Sequence, residues 1–157
     1  MLKIAHSLKE INFSQLMEIY LEGNLEKTED GISLLQAEQE FYAYLKESFF
    51  CTAGAVYCIW LETGTYVSAL RLEPYRDGWL LEALETKPEY RRLGYALNLI
   101  RSVQMLGEYK KIYSHIHKNN RASLDVHTRC GFRKISDSAA YIDGSVNSRA
   151  CTVCWER

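Results

Sequence analysis

The chain has 157 residues, 47% of them hydrophobic, and a formal net charge of -1. That length and apolar fraction suit a single domain over residues 1–157 with a sizeable core. The near-neutral charge excludes the global attraction expected of a nucleic-acid binder. With neither a signal-type leader nor an apolar run of bilayer length, no membrane partner is expected either, and a cytoplasmic location is the default.

In chain order, Met1 to Leu8 reads as a short first strand, followed by a helix from Phe13 to about Asn24. Glu26 to Gly31 reads as an acidic, polar loop. A second helix runs from Ser33 to about Glu47, with Leu34, Leu35, Phe41, Tyr44 and Leu45 on its apolar face. Three strand-like runs follow, Ala55 to Glu62, Tyr66 to Glu73 and Trp79 to Thr86. The turns between them, Thr63-Gly64 and Pro74 to Gly78, are short enough for an antiparallel meander.

Pro88 then stops the ladder. Ala96, Leu97, Leu99, Ile100, Val103 and Leu106 recur at three- and four-residue spacing, which predicts a helix that ends at Gly107. Ile112 to His117 is a further strand. Asn120 can cap a helix that ends at Cys130, with Gly131 just past its last turn. Strands near Phe132 to Asp137 and Arg149 to Trp155 close the chain. The order β-α-α-β-β-β-α-β-α-β-β predicts a mixed α/β (α+β) fold, a largely antiparallel sheet with helices on both faces.

The five cysteines are an odd set, and Cys58, Cys130, Cys151 and Cys154 fall in apolar segments that suit reduced core thiols. Cys151 and Cys154 have the spacing of a redox or zinc pair, but residues three apart on a strand point to opposite faces.

The segment richest in chemistry is Arg91-Arg92-Leu93-Gly94-Tyr95-Ala96, which lies between a strand and an amphipathic helix. A helix N-terminus offers unpaired N–H groups and the positive end of a dipole, which together bind phosphate. Gly94 lets the backbone approach a ligand closely, Ala96 does not block it, and Arg91 and Arg92 add positive charge. The bland alternative is an ordinary helix start with two solvated arginines.

Arg91, Gly94 and Ala96 match the (Arg/Gln)-x-x-Gly-x-(Gly/Ala) motif, and Asn120 to Phe132 looks like a helix with Asn near its start and Gly-Phe after its end. In these two motifs and in element order the chain resembles the GNAT superfamily of N-acetyltransferases. The resemblance implies acetyl-CoA as co-substrate, held where the strand ending at Thr86 splays from the strand at Ile112. Backbone groups of Leu84, Glu85 and Thr86 would pair with the pantetheine arm. The N–H groups of Arg92, Leu93, Gly94, Tyr95 and Ala96 would hold the pyrophosphate, and Asn120 would reach the pantetheine or thioester end.

Acetyl transfer to an amine needs a base, because a lysine-type amine, with a pKa of about 10.4, is mostly protonated near neutrality. Glu82 is the first candidate. By strand alternation it shares a face with Leu84 and Thr86 while Glu85 points the other way, and the resemblance places an acidic residue there in several relatives. His115 is the second candidate, on one strand face with Tyr113 and His117. His127 stands, counting back from Gly131-Phe132, where many relatives carry a tyrosine thought to protonate the departing thiolate. It reads either as that acid or as a satisfied core histidine.

The implied activity is an acetyl-CoA-dependent N-acetyltransferase acting by direct attack in a ternary complex. Its acceptor would be a small-molecule amine or a peptide amine, and Glu29 and Asp30 in the acidic loop favour a cationic one. The alternatives are a catalytically inactive acyl-CoA-binding module and a metal-dependent hydrolase built on the histidines, although no metal site is expected. The final strands leave a homodimer open.

Overall fold

The computed structural model describes all residues, 1–157. Strand β1 (Leu2–Ala5) leads into helices α1 (Phe13–Ile19), α2 (Leu21–Thr28) and α3 (Leu34–Glu47). A meander of β2 (Val56–Glu62), β3 (Thr65–Tyr75) and β4 (Gly78–Thr86) follows, then α4 (Tyr95–Met105), β5 (Lys111–His117) and α5 (Arg121–Arg129). The chain ends with β6 (Arg133–Ser136), the short strands β7 (Ala139–Ala140) and β8 (Val146–Asn147), and β9 (Ala150–Glu156). The main sheet has the order β1-β2-β3-β4-β5-β9-β6, and β7 and β8 form a separate hairpin.

Local capping explains several boundaries. The side chains of Asn12, Ser33 and Asn120 accept hydrogen bonds from the N–H groups of Gln15, Gln36 and Ser123, which starts α1, α3 and α5. The single helix expected from Phe13 to Asn24 is instead two helices that meet at Tyr20. The Tyr20 ring is buried and its hydroxyl donates to the Ala83 carbonyl at 2.6 Å, so a tertiary contact sets the break. α2 then runs on through Glu26 to Thr28, residues expected in a loop, because its surface lacks the apolar period that would have marked it. The β7–β8 hairpin was also unexpected. Strands of two residues leave no pattern, and this one is held by the Tyr75 hydroxyl donating to the Ala140 carbonyl.

Alternation along the sheet divides the core in two. Cys58, Leu70, Leu72 and Leu81 pack with Leu99, Ile100 and Val103 of α4 on one face. Tyr57, Ile59 and Ala69 pack with Leu16, Ile19 and Leu45 of α1 and α3 on the other. Each such fully buried aliphatic side chain contributes roughly 2 kcal/mol of transfer free energy, so both helical layers are fixed by the pattern of the central strands.

Two irregularities in β4 create the site. The first is the ladder with β5, the only parallel pairing in the main sheet, which covers just Trp79–Leu81 against Ile112–Ser114. Beyond it β4 stays with β3 as far as Thr86, while β5 stays with β9 as far as His117. The two strands therefore diverge into a wedge, and the Ser114 hydroxyl donates to the Leu81 carbonyl at its apex.

The second irregularity is a bulge. Arg71 faces Glu82 and Ala69 faces Glu85, so β4 takes three steps where β3 takes two, and Ala83 adopts φ 51°. The extra residue reverses the alternation beyond it. Glu82, Ala83 and Glu85 lie on the α1–α3 face, whereas Leu84 packs with the α4 core. The expected sharing of a face by Glu82, Leu84 and Thr86, with Glu85 opposite, is thus corrected.

Candidate functional site

A cleft of about 830 Å³ opens where the wedge meets the N-terminus of α4 and one side of α5. Leu84, Glu85 and Thr86 form its β4 wall, and Arg92, Gly94, Tyr95 and Ala96 form the floor at the helix start. Gly94 is the N-cap residue at φ 86°, and Arg92 also takes a left-handed conformation at φ 62°. The first backbone bond of α4 runs from the Asn98 N–H to the Gly94 carbonyl, and no side chain caps the helix. The N–H groups of its first turn therefore face the cleft as a ready anion cradle. A Cβ at Gly94 would meet no protein atom within 4 Å, so the cradle is open above the glycine.

The sequence-predicted residues divide here. Arg91 is a strut rather than free charge. Its Nε donates to the Thr86 carbonyl at 3.0 Å, and its guanidinium pairs with Glu22 at 2.7 Å and Glu85 at 3.1 Å. It lines the cleft but ties α2 and β4 to the loop, so the positive charge expected of it beside the cradle is already engaged. Arg92 remains exposed at the cleft. The Leu93 side chain is 63% exposed and does not line the cleft. Asn120 does line it. Its Oδ1 is occupied as the α5 cap, and its amide NH2 is the group left to turn to a ligand.

The α5 wall was missed by the sequence reading. Ala122, Ser123, Asp125, Val126 and Arg129 face the cleft. Asn120, Ser123, Val126 and Arg129 recur every three residues, and Ala122, Asp125 and Arg129 step by three and four beside them, so they make one helical face, a signal that was present in the sequence. Arg129, held 3.8 Å from Asp125, adds a second cation to Arg92 at this wall.

On the opposite face of the sheet, Glu82 is half-buried and faces the Arg71 guanidinium at 3.7 Å. Arg71 lies over the rings of Tyr44 and Phe49, at 5.0 and 5.4 Å. Burial, and then the nearby Glu73 carboxylate, push the Glu82 carboxyl from its ordinary 4.5 up to about 7, more than Arg71 pulls it down. Burial also raises Glu85. Glu29 and Asp30, proposed from sequence to border an acceptor, are exposed beyond the end of α2 and line no part of the cleft.

The histidines separate. His115 lies on the same face as Glu82. Beyond the cross-strand pair Leu80 and Tyr113, the next residues on that face are Glu82 and His115, one on each arm of the wedge. Thr152 donates to the Ser138 carbonyl, so its oxygen is free to accept from His115 Nδ1 at 3.0 Å, and His115 Nε2 is buried without a hydrogen-bond partner. Tyr75 and Tyr141 flank the ring edge-on at 5.4 and 5.2 Å. His117 is exposed.

His127 is 1% exposed and does not line the cleft. Its Nδ1 donates to the Ser123 carbonyl at 2.7 Å, and its ring packs against Phe132. Burial lowers its pKa. This is the geometry of a core histidine. No group of three His, Cys, Asp or Glu side chains lies within reach of one ion, so the donor set of the hydrolase alternative is not assembled. Cys151 and Cys154 fall on opposite faces of β9, one in the α4 core and one beside Tyr75 and Tyr113.

The model of the acetyltransferase (GNAT) family matches residues 14–132. The chain belongs to the GNAT family. Among solved structures, it is similar to the PaiA N-acetyltransferase of Thermoplasma acidophilum in complex with coenzyme A, with 14% identity and a TM-score of 0.69 over 100% of this chain and 99% of that one. It is similar to an aminoglycoside 6'-acetyltransferase type Ii, with 11% identity and a TM-score of 0.70 over 99% and 96% of the two chains. The ribosomal-protein-S18-alanine N-acetyltransferase of Escherichia coli gives 15% identity and a TM-score of 0.61 over 99% and 94%. No curated protein matches the sequence.

At these identities the likeness is one of fold, and it agrees with the mixed α/β architecture read from the sequence. The GNAT scaffold seats a coenzyme, and three features of this chain fit one. They are the uncapped first turn of α4, the open space above Gly94, and the strand β4 left without a partner on its β5 side past Leu81. No helix is long and apolar enough to cross a membrane.

Proposed function

We propose that this GNAT protein is an acetyl-CoA-dependent N-acetyltransferase that acts on a primary amine by direct attack in a ternary complex. The observation that carries the reading is the wedge between β4 and β5, with an anion cradle on one side of the sheet and a carboxyl near neutral pKa on the other. A thioester threaded through the gap meets an amine delivered from the α1–α3 face.

In this reading the N–H groups from Arg92 to Ala96 hold the pyrophosphate, and Arg92 and Arg129 screen its charge. Leu84, Glu85, Thr86 and Asn120 border the pantetheine arm. The Thr86 carbonyl is engaged by Arg91 and the Glu85 carbonyl by Ser68, so Leu84 and the Asn120 amide are the freest partners. Glu82 takes the amine proton and His115, across the wedge, is the second base. The thiol product has a pKa of about 8.5, so the thiolate leaves without strong acid help, and His127 is a core residue that the reaction does not require.

The acceptor is a small-molecule or peptide amine. The test is acetyl-CoA titration by calorimetry, followed by thiol release against a panel of polyamines, lysine-like amines, aminoglycosides and peptides. Saturable binding with amine-dependent release is the expected result, and absence of binding overturns the reading. Binding without release for every amine would favour the acyl-CoA-binding module, a reading supported by the burial of His127 where relatives carry a tyrosine.

A further inference from the structure

Glu73 is a charged residue that neither the cleft nor the base assignment explains. It lies on β3 opposite Leu80, two positions from Arg71, which lies opposite Glu82. Glu73 is therefore the diagonal neighbour of Glu82 on one sheet face. It is only 9% exposed, and no basic side chain lies within ion-pair distance of it. The one cation beside the pair, Arg71, sits 3.7 Å from Glu82, longer than a hydrogen bond, with its guanidinium held over the faces of Tyr44 and Phe49. One cation thus faces one buried and one half-buried carboxyl group.

We propose that Glu73 is a positioning residue for the base, forming with Glu82 a two-carboxyl unit that holds one proton between them. The inference rests on the acetyltransferase reading above. Two carboxyl groups at diagonal positions on one sheet face, withdrawn from water and short of cations, do not both remain ionised easily, and the Glu73 charge helps to raise the Glu82 carboxyl. The groups that face the pair are Arg71 from β3, Tyr44 from α3 and, on the other arm of the wedge, His115 from β5. Arg71 offsets one negative charge, which leaves the singly protonated pair as the balanced state.

With both carboxylates ionised, the unit accepts one proton from the acceptor ammonium and becomes the shared-proton form. The neutral amine nitrogen forms its bond to the acetyl carbon as the carbon–sulfur bond breaks. The second nitrogen proton goes to the departing thiolate, giving the amide and the free thiol, and the unit then returns its proton to water. Glu73 keeps the Glu82 carboxyl turned toward the wedge and fixes the pH at which it opens as a base.

The test has two arms. In the first, Glu73→Gln is compared with the unaltered enzyme for kcat/KM of amine-dependent thiol release at saturating acetyl-CoA between pH 5.5 and 9. Removing the like charge is expected to shift the acid limb to lower pH by on the order of one unit. A limb that stays in place, with only lower stability or a uniformly lower rate, overturns the proposal. The second arm is a carboxyl-carbon NMR titration of the unaltered protein, which needs neither an acceptor nor a variant that folds. The Glu82 carboxyl is expected to follow a two-step curve, and a single independent step there sinks the shared proton. Failure to find an acceptor would count against the acetyltransferase reading while leaving this second arm decisive.

Discussion

Glu82 is where burial and chemistry meet in one side chain. Its folded pKa of about 7 lies above the ordinary 4.5, so folding favours the protonated carboxyl. That stabilisation is fully present below the unfolded value and is lost as pH rises through about 7. Glu82→Gln, neutral at every pH, is therefore expected to melt like the unaltered protein at about pH 4, below the ordinary carboxyl value, and at higher temperature at pH 8.5. The difference is on the order of 3 kcal/mol at most. The same variant is expected to lose about 10²- to 10⁴-fold in turnover with unchanged acetyl-CoA affinity. A melting curve at the two pH values and a calorimetric titration check both halves, and equal melting at pH 8.5 would remove the stability argument. His127 gives the opposite pattern. His127→Leu removes one buried hydrogen bond, from Nδ1 to the Ser123 carbonyl, so a loss of about 1 kcal/mol in stability with nearly unchanged turnover is expected. A large drop in turnover at normal stability would restore it as an acid. An acid on the strand before the motif was legible at Glu82, but its face was not. The bulge at Ala83 reverses the alternation, and an alanine held at φ 51° leaves no mark in the sequence that a glycine would have left.

The elements around the cleft were legible in proportion to their periodicity. Helix α5 was marked by its ends, the Asn120 cap and Gly131 past the last turn, whereas the apolar steps of α4 marked that helix and Gly94 its start. At that element Gly94→Val forces a β-branched residue to φ 86° and points a side chain into the cradle. Acetyl-CoA affinity is expected to fall by about tenfold or more, with the far-UV circular dichroism spectrum retained. Unchanged affinity would place the pyrophosphate elsewhere. Arg91 and Arg92 are adjacent and alike in sequence, yet the fold assigns them different work, because only Arg91 reaches Glu22, Glu85 and the Thr86 carbonyl. Arg91→Ala is expected to lower stability by about 1 kcal/mol, whereas Arg92→Ala weakens coenzyme binding, increasingly at low salt, with an unchanged melting temperature. Paired melting and titration series separate the two, and identical behaviour would refute the strut. What stayed illegible, the α1–α2 break and the β7–β8 hairpin, depends on tertiary bonds from Tyr20 and Tyr75 that no local pattern announces.

At the scale of the molecule, the sheet is a partition with one gap. The coenzyme cradle is built on the α4–α5 face and the Glu82 group on the α1–α3 face, and each has its own core cluster. The two sides communicate along the second half of β4 and the loop after it, where Tyr20 bonds the Ala83 carbonyl, Lys87 pairs with Glu18 and Arg91 pairs with Glu22. All three bonds run from α1, α2 or their junction to β4 or the loop behind it, so the helices that border the proposed acceptor side are fastened to the strand and loop that border the coenzyme. Coenzyme binding is then expected to slow amide hydrogen exchange first at the end of β4 and the start of α4, and next in α1 and α2, through these bonds. The outer helix α3 touches β4 through none of them and is expected to exchange at its free rate. Exchange followed by mass spectrometry with and without acetyl-CoA reads all three regions at once. Protection confined to β4 and α4 would mean that the two sides act independently and that the acceptor helices respond only to the acceptor. Repeating the experiment with Tyr20→Phe, which deletes the hydroxyl that bonds the Ala83 carbonyl, is expected to reduce the protection carried into α1 and α2 while preserving it at α4.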